Sequence, residues 1–196
     1  MAPPATFHRF YGEHPDSKLD FPFTSDEFFK NLSNGSKLTP DARFDVVFID
    51  GHHLAEQIDR DFSNALKAVE PTGYVVVYDC NPPTEWHARE TFTYFDDPDL
   101  NHWNATTWKA FVKRRSNPEL HACYIDSDWG IGILSRTIPI GKALQPSNVF
   151  YEYQVFDRDR KNMLSLVSIE EFKNLVESHL DKVYLKGNTT DRIGSE

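Results

Sequence analysis

The chain has 196 residues, of which 39% are hydrophobic and 14% aromatic, so it is long enough to bury the core of one ordinary domain. Its formal net charge of −9, without a long basic run, argues against a protein that binds nucleic acid mainly through phosphate contacts. Two cysteines are too few for a disulfide framework, and no window holds the roughly 20 apolar residues of a membrane span. We therefore expect a cytoplasmic protein with no nucleic-acid or membrane partner.

The N-terminal part predicts little regular structure before a short helix. The first twenty residues are rich in proline and polar side chains, lack the apolar core of a signal peptide, and include one short candidate strand at 7–12. The next segment, FPFTSDEFFKNL, places Thr24 three residues before Glu27, a capping-box pattern that predicts a helix start. A loop is expected at 33–43, where serine, asparagine, glycine and proline cluster.

A strand–helix–strand unit follows. Residues 44–49 and 74–80 are continuous apolar runs, which is typical of parallel strands that are covered on both faces. Between them, apolar residues recur on one helical stripe from Leu54 to Val69. Such a unit predicts two parallel strands joined by a right-handed crossover.

The second half of the chain predicts a mixture of loops, strands and helices. Two prolines make 81–87 a loop, and the segment NATTWKAFVKRRS predicts a helix with Asn104 as its cap. The later predictions are a strand pair at 120–126 and 130–137, a linker at 138–148, a strand in NVFYEYQVF at 148–156, and a helix that opens with the capping box Ser168 to Glu171.

Two aspartates end the predicted parallel strands. Neighbouring parallel strands end at the same edge of a sheet, so Asp50 and Asp79 are expected together there. This edge is also where parallel sheets bind ligands. The alternative is that each aspartate only caps the next turn or helix. Three chemical roles are open: binding of Mg²⁺ or a similar hard cation together with Asn81, a general base at His52 or His53, and orientation of a cofactor that donates a hydrogen bond to Asp50. At most one histidine of the pair is expected in the site.

The segment FDVVFIDGHHLAEQIDRDFSNALKAVEPTGYVVVYDC resembles the fourth strand, next helix and fifth strand of class I S-adenosylmethionine-dependent methyltransferases. It is most similar to the branch with a D-G-x-H motif. Residues 11–17 resemble the end of that family's second strand, which implies that Glu13 binds the cofactor ribose. Thr24 and Ser25 lie in a segment that resembles the one near the adenine, and Asp50 is the further implied cofactor ligand.

The resemblance covers residues 8–137 and implies an α/β fold. The expected architecture is a Rossmann-like three-layer sandwich with a mostly parallel sheet and an antiparallel closing strand pair. We assign 1–137 to this domain and 138–196 to a linker with a C-terminal strand and helix. No G-x-G-x-G precedes residue 11, so the family's Gly-rich first strand is missing and we expect an N-terminally truncated sheet. The predicted strand at 148–156, a second copy in a homodimer or another partner chain would cover its open edge.

The resemblance also implies a function: methyl transfer from S-adenosylmethionine to a hydroxyl of a small molecule or sugar. In the metal-dependent version, Asp50, Asp79 and Asn81 hold Mg²⁺, which lowers the pKa of the acceptor hydroxyl. In the metal-free version, His53 is the catalytic base beside Asp50. The alternatives are a catalytically inactive methyltransferase-like interaction or structural module, and a metal-dependent hydrolase that uses the same carboxylates.

Overall fold

A five-stranded sheet with helices on both faces organises the described part of the chain. The computed structural model describes residue 21 and residues 23–35, 39–92, 102–145 and 147–190. The elements are α1 (Ser25–Ser33), β1 (Phe44–Ile49), α2 (Ala55–Ala68), β2 (Val69–Tyr78), α3 (Thr107–Arg115), β3 (His121–Ile125), β4 (Ile131–Ser135), α4 (Tyr153–Arg158), α5 (Arg160–Leu164), β5 (Leu166–Val167) and α6 (Ile169–Thr190). None of these helices is both long and apolar enough to cross a membrane.

The sheet is mixed, so the prediction of a mostly parallel sheet is wrong. Its strand order is β1-β2-β4-β3-β5. The pairs β1/β2 and β3/β5 are parallel, whereas β2/β4 and β3/β4 are antiparallel. The physical reason is the short turn between β3 and β4, which can only join antiparallel neighbours. The predicted parallel pair and the predicted antiparallel closing pair are both confirmed.

The larger hydrophobic core lies between one face of the sheet and helices α2 and α3. Phe62 of α2 and both Trp108 and Phe111 of α3 are fully buried there. Phe156 of α4 and Leu164 of α5 join the same cluster. The C-terminal segment therefore packs on the same core as the strand–helix–strand unit.

The other face of the sheet is covered only in part. Cys123 and Ile133 face α6, whose Phe172 packs against them. Among the described residues this cover does not extend to β1, where Val46 and Phe48 are 54% and 56% exposed. In the described part of the chain β1 pairs only with β2, so it is an edge strand there.

Both predicted capping boxes are confirmed. The backbone N–H of Glu27 donates to the Thr24 hydroxyl at 3.2 Å, and the Thr24 N–H donates to the Glu27 carboxylate at 3.0 Å. The same reciprocal pair joins Ser168 and Glu171, at 3.1 and 2.6 Å. Each box satisfies N–H groups that have no partner within the first helical turn.

The predicted strand at 148–156 is wrong: the segment forms a turn followed by α4. The Asn148 side chain closes the turn, because its Oδ1 accepts from the Glu152 N–H at 2.9 Å and its Nδ2 donates to the Glu152 carbonyl at 2.8 Å. Helical spacing then places Phe156 on Trp108, with ring centroids 4.3 Å apart. Packing against the core thus overrides the strand preference of an aromatic-rich sequence.

Candidate active site

Three titratable side chains meet at the carboxyl ends of β1 and β2. Asp50 follows β1, Asp79 follows β2, and His53 lies in the turn that leads into α2. The two strands are parallel neighbours with Ile49 opposite Val77, so the two aspartates leave the sheet at the same edge. One ligand atom from each of the three side chains lies within 4.8 Å of the others.

The orientation of His53 is fixed by the segment that precedes α3. Its Nδ1 lies 3.0 Å from the carbonyl oxygen of Trp103, and its ring stacks on the Trp103 ring at 5.6 Å. A carbonyl oxygen can only accept, so Nδ1 carries the proton and Nε2 is the basic nitrogen. The His53 carbonyl in turn accepts from the Thr106 N–H at 3.1 Å and the Thr107 hydroxyl at 3.0 Å.

The charges around His53 favour its protonated form. Nε2 lies 3.6 Å from Asp50 Oδ1, and Nδ1 lies 3.5 Å from Asp79 Oδ2. Burial opposes protonation, but the nearby Asp50 carboxylate, the Trp103 carbonyl and the Asp79 charge outweigh it, so the pKa of His53 is raised above 6.5. The 3.6 Å separation is an ion-pair distance rather than a hydrogen bond.

Asp79 is a strained and largely buried carboxylate. Its backbone is left-handed, with a φ of 61°, and its side chain is 13% exposed. Burial raises its pKa to about 6; the charge of His53 and a 2.8 Å hydrogen bond from Asn104 Nδ2 act in the opposite direction. Ala105, beside Asn104, also has a positive φ of 48°. Strained backbone of this kind concentrates at functional sites.

The structure separates the two histidines of the pair. His52 is exposed, and its ring centroid lies 6.4 Å from that of Trp103. His53, by contrast, is 19% exposed and contacts both aspartates. Only His53 therefore belongs to the cluster.

Other residues predicted for the site lie elsewhere or have other partners. Asn81, expected beside the metal, accepts a hydrogen bond from Arg160 at 2.5 Å. The Thr24 hydroxyl is used in its capping box, and the Ser25 hydroxyl accepts from Gln57 at 3.2 Å. Glu13 lies outside the described residues.

Two residues that contact the cluster were not predicted for the site from the sequence. Asn104 was predicted as the cap of α3, which is wrong: the cap position is Thr106, and the Asn104 side chain bonds Asp79. Trp103 is the second contributor, because its carbonyl oxygen sets the tautomer of His53. A Trp-Asn pair before a helix carries no local signal for either contact, since both are long-range.

The comparisons with known proteins agree with the resemblance seen in the sequence. Residues 13–80 match the family described as Methyltransferase domain, a segment that contains β1, α2, β2 and both aspartates. No curated protein matches this chain. The match covers less than half of the 196 residues. Residues 13–80 are thus similar to a methyltransferase domain, which supports the resemblance to the class I S-adenosylmethionine-dependent family for that segment.

Proposed function

We propose that this protein transfers a methyl group from S-adenosylmethionine to a hydroxyl of a small molecule or sugar, with His53 as general base. The observation that carries the proposal is the fixed tautomer of His53. Because Nδ1 is held by the Trp103 carbonyl, Nε2 is the nitrogen that can accept a proton. It lies at the edge of the sheet beside Asp50, where parallel sheets bind ligands.

The residues at this edge fit a bound ligand. Asp50 is 46% exposed and would bind the cofactor by hydrogen bonding. Asn104 Oδ1 is buried without a hydrogen-bond partner among the described residues, and a buried acceptor of this kind is stabilised by a donor group. S-Adenosylmethionine supplies an electrophilic methyl group on a sulfonium.

The side chains around His53 support proton removal from an acceptor. With S-adenosylmethionine bound, Nε2 would accept the hydroxyl proton as the acceptor oxygen bonds to the methyl carbon and the carbon–sulfur bond breaks. The proton would end on the imidazole, and the leaving group would be the neutral thioether S-adenosylhomocysteine. Asp50 and Asp79 then stabilise the imidazolium through the contacts of 3.6 and 3.5 Å. A raised pKa makes His53 a stronger base, and methyl transfer should increase with pH as the imidazole becomes neutral.

A divalent cation is the alternative means of activating the hydroxyl. Asp50 and Asp79 would supply the oxygen ligands that Mg²⁺ prefers, and His53 would complete the set. Asn81 is paired with Arg160, which makes it a poorer candidate ligand than the other two. Titration calorimetry with Mg²⁺ on wild type and Asp79→Ala tests this version, and equal heats would remove Asp79 from it.

A second function is supported by a different observation. The exposed Val46 and Phe48 form an apolar surface on β1, which is an edge strand within the described part of the chain, as expected for a methyltransferase-like interaction module. A second copy of the chain is the occupant we favour, because two edge strands can pair with each other. Sedimentation of wild type and Phe48→Glu tests it: a monomer in both would remove this candidate.

Binding of S-adenosylhomocysteine, the product formed from the cofactor, distinguishes the methyltransferase proposal from the interaction-module proposal. S-Adenosylhomocysteine at 100 times its Kd should raise the free energy of unfolding by about 2.7 kcal/mol. No stabilisation at millimolar ligand would overturn the enzyme proposal.

His53→Gln tests the base directly, with His52→Gln as the matched control. Methyl transfer from labelled S-adenosylmethionine to a panel of hydroxylated small molecules should fall by roughly 10²- to 10⁴-fold in His53→Gln. The neighbouring His52 variant should keep its rate, because that side chain is exposed and lies outside the cluster. Equal losses in both variants would contradict the role of His53.

A further inference from the structure

The loop after Asp79 is held by the C-terminal part of the chain. Pro82 and Pro83 have no N–H group, so this loop cannot extend the sheet by a regular ladder of hydrogen bonds. Arg160, the first residue of α5, donates instead from Nη1 to Asn81 Oδ1 at 2.5 Å and to the Pro82 carbonyl at 2.8 Å. These contacts join residues that are 79 and 78 positions apart in the chain.

The guanidinium of Arg160 also contacts three residues of α4. Its Nη2 donates to the Tyr153 hydroxyl at 2.9 Å and to Asp157 at 2.5 Å, and its Cζ lies 4.7 Å from the Phe156 ring centroid. The Tyr153 hydroxyl also donates to the Pro82 carbonyl at 3.2 Å. Lysine cannot reproduce this arrangement, because only the planar guanidinium offers donors in several fixed directions.

This arrangement is anchored in the core. Phe156, beneath the guanidinium, is fully buried and stacks on Trp108. Two residues before Phe156, Gln154 Nε2 lies 2.9 Å from both carboxylate oxygens of Glu85, at the far end of the same loop. The loop is therefore tied to the C-terminal part of the chain at both of its ends.

We propose that Arg160 is a positioning residue that holds the Asn81–Pro82 loop so that Asp79 keeps its left-handed backbone and presents its carboxylate to His53. A left-handed backbone is disfavoured for a residue that has a Cβ, so the surrounding structure must maintain it at Asp79, whose φ is 61°. The contacts of Arg160 begin two residues after Asp79, close enough to limit its φ and ψ angles. The catalytic meaning of this contact rests on the proposed function, whereas the geometry of Asp79 can be measured without any methyl transfer.

The test compares Arg160→Met, Arg160→Lys and wild type by NMR. The readouts are the Cα and Cβ shifts of Asp79, which report its backbone conformation, and the side-chain amide signal of Asn104, which donates to Asp79. In Arg160→Met both should move away from their wild-type positions. Arg160→Lys should give an intermediate shift, because lysine keeps the positive charge but lacks the planar set of donors of the guanidinium.

Arg158→Met is the matched control. Arg158 is an exposed arginine near Arg160, and its Nε donates to the Gln154 carbonyl at 3.1 Å, within its own helix. Its substitution should leave the Asp79 and Asn104 signals unchanged.

Wild-type signals for Asp79 in Arg160→Met would overturn the proposal. If that variant does not fold, Tyr153→Phe removes a direct contact with Pro82 and is judged by the same signals. Shifted Asp79 signals in a protein that binds no cofactor would retain this inference and reject only the enzyme proposal.

Discussion

Replacing Asp79 by asparagine should stabilise the protein at neutral pH. Burial raises the pKa of Asp79 from 3.8 to about 6, so between these values the folded state binds more protons than the unfolded state. The contribution of this carboxylate is therefore unfavourable: stability falls as the pH rises through this window and is constant above it. The full effect at pH 8 is about 3 kcal/mol, and about 1 kcal/mol is already present at pH 4.5.

An asparagine side chain at position 79 would avoid the unfavourable ionisation of a buried carboxylate and would keep the local geometry. An amide does not ionise, and asparagine tolerates a left-handed backbone at least as well as aspartate does. We expect Asp79→Asn to exceed wild type by about 3 kcal/mol in free energy of unfolding at pH 8 and by about 1 kcal/mol at pH 4.5. Urea unfolding followed by tryptophan fluorescence at both pH values measures the difference.

A matched control separates burial from a general loss of negative charge. Asp126 follows β3 and is exposed, so Asp126→Asn should change stability by no more than about 0.5 kcal/mol at either pH. An Asp79→Asn protein whose advantage is the same at pH 4.5 and pH 8 would refute the assignment to desolvation. A gain at pH 8 that is lost at low pH is the pattern of a residue retained for function at the expense of stability.

Three further substitutions test the packing that supports the site. Gly130→Ala should lower stability by at least about 2 kcal/mol in thermal unfolding, because φ is 90° there and a Cβ would overlap the Tyr124 hydroxyl. Arg115→Met should lower it by about 3 kcal/mol, since the buried guanidinium donates to three backbone carbonyl oxygens of the C-terminal part. Phe156→Ala should lower it by about 3–5 kcal/mol in urea unfolding, because its ring is fully buried against Trp108. A change below about 1 kcal/mol in any of them would contradict the packing described for that residue.

The features that sequence reasoning predicted correctly are those with local causes. The apolar runs at 44–49 and 74–80 predict neighbouring parallel strands, and the structure pairs them in parallel. The prediction that both faces are covered is wrong for β1, where Val46 and Phe48 are 54% and 56% exposed. The capping boxes at Thr24 and Ser168 depend on residues three apart, so a short window contains all the information they need. The positions of Asp50 and Asp79 at one edge follow from the same parallel pairing.

The features that could not be predicted are long-range. Asn104 bonds an aspartate that is 25 positions away, and the Trp103 carbonyl bonds a histidine that is 50 positions away. A single sequence contains no signal that links such positions, and an asparagine before a helix is most simply interpreted as a cap. The prediction that the sheet is mostly parallel was wrong for a related reason. The order and direction of strands depend on which edges meet, and β4 lies antiparallel between β2 and β3.

The C-terminal tail and the segment before α3 supply long-range contacts to the candidate site. Its composition suggested a strand that would cover an open edge, but the segment instead forms α4, and β5 pairs with β3 at the far side of the sheet. The segment that matches the methyltransferase family ends at residue 80, whereas Trp103, Asn104 and Arg160 all lie beyond it. These three residues set the tautomer of His53, hold the Asp79 carboxylate and hold the loop that follows it. The chemistry of the two aspartates and the histidine therefore depends on parts of the chain that the family pattern does not include.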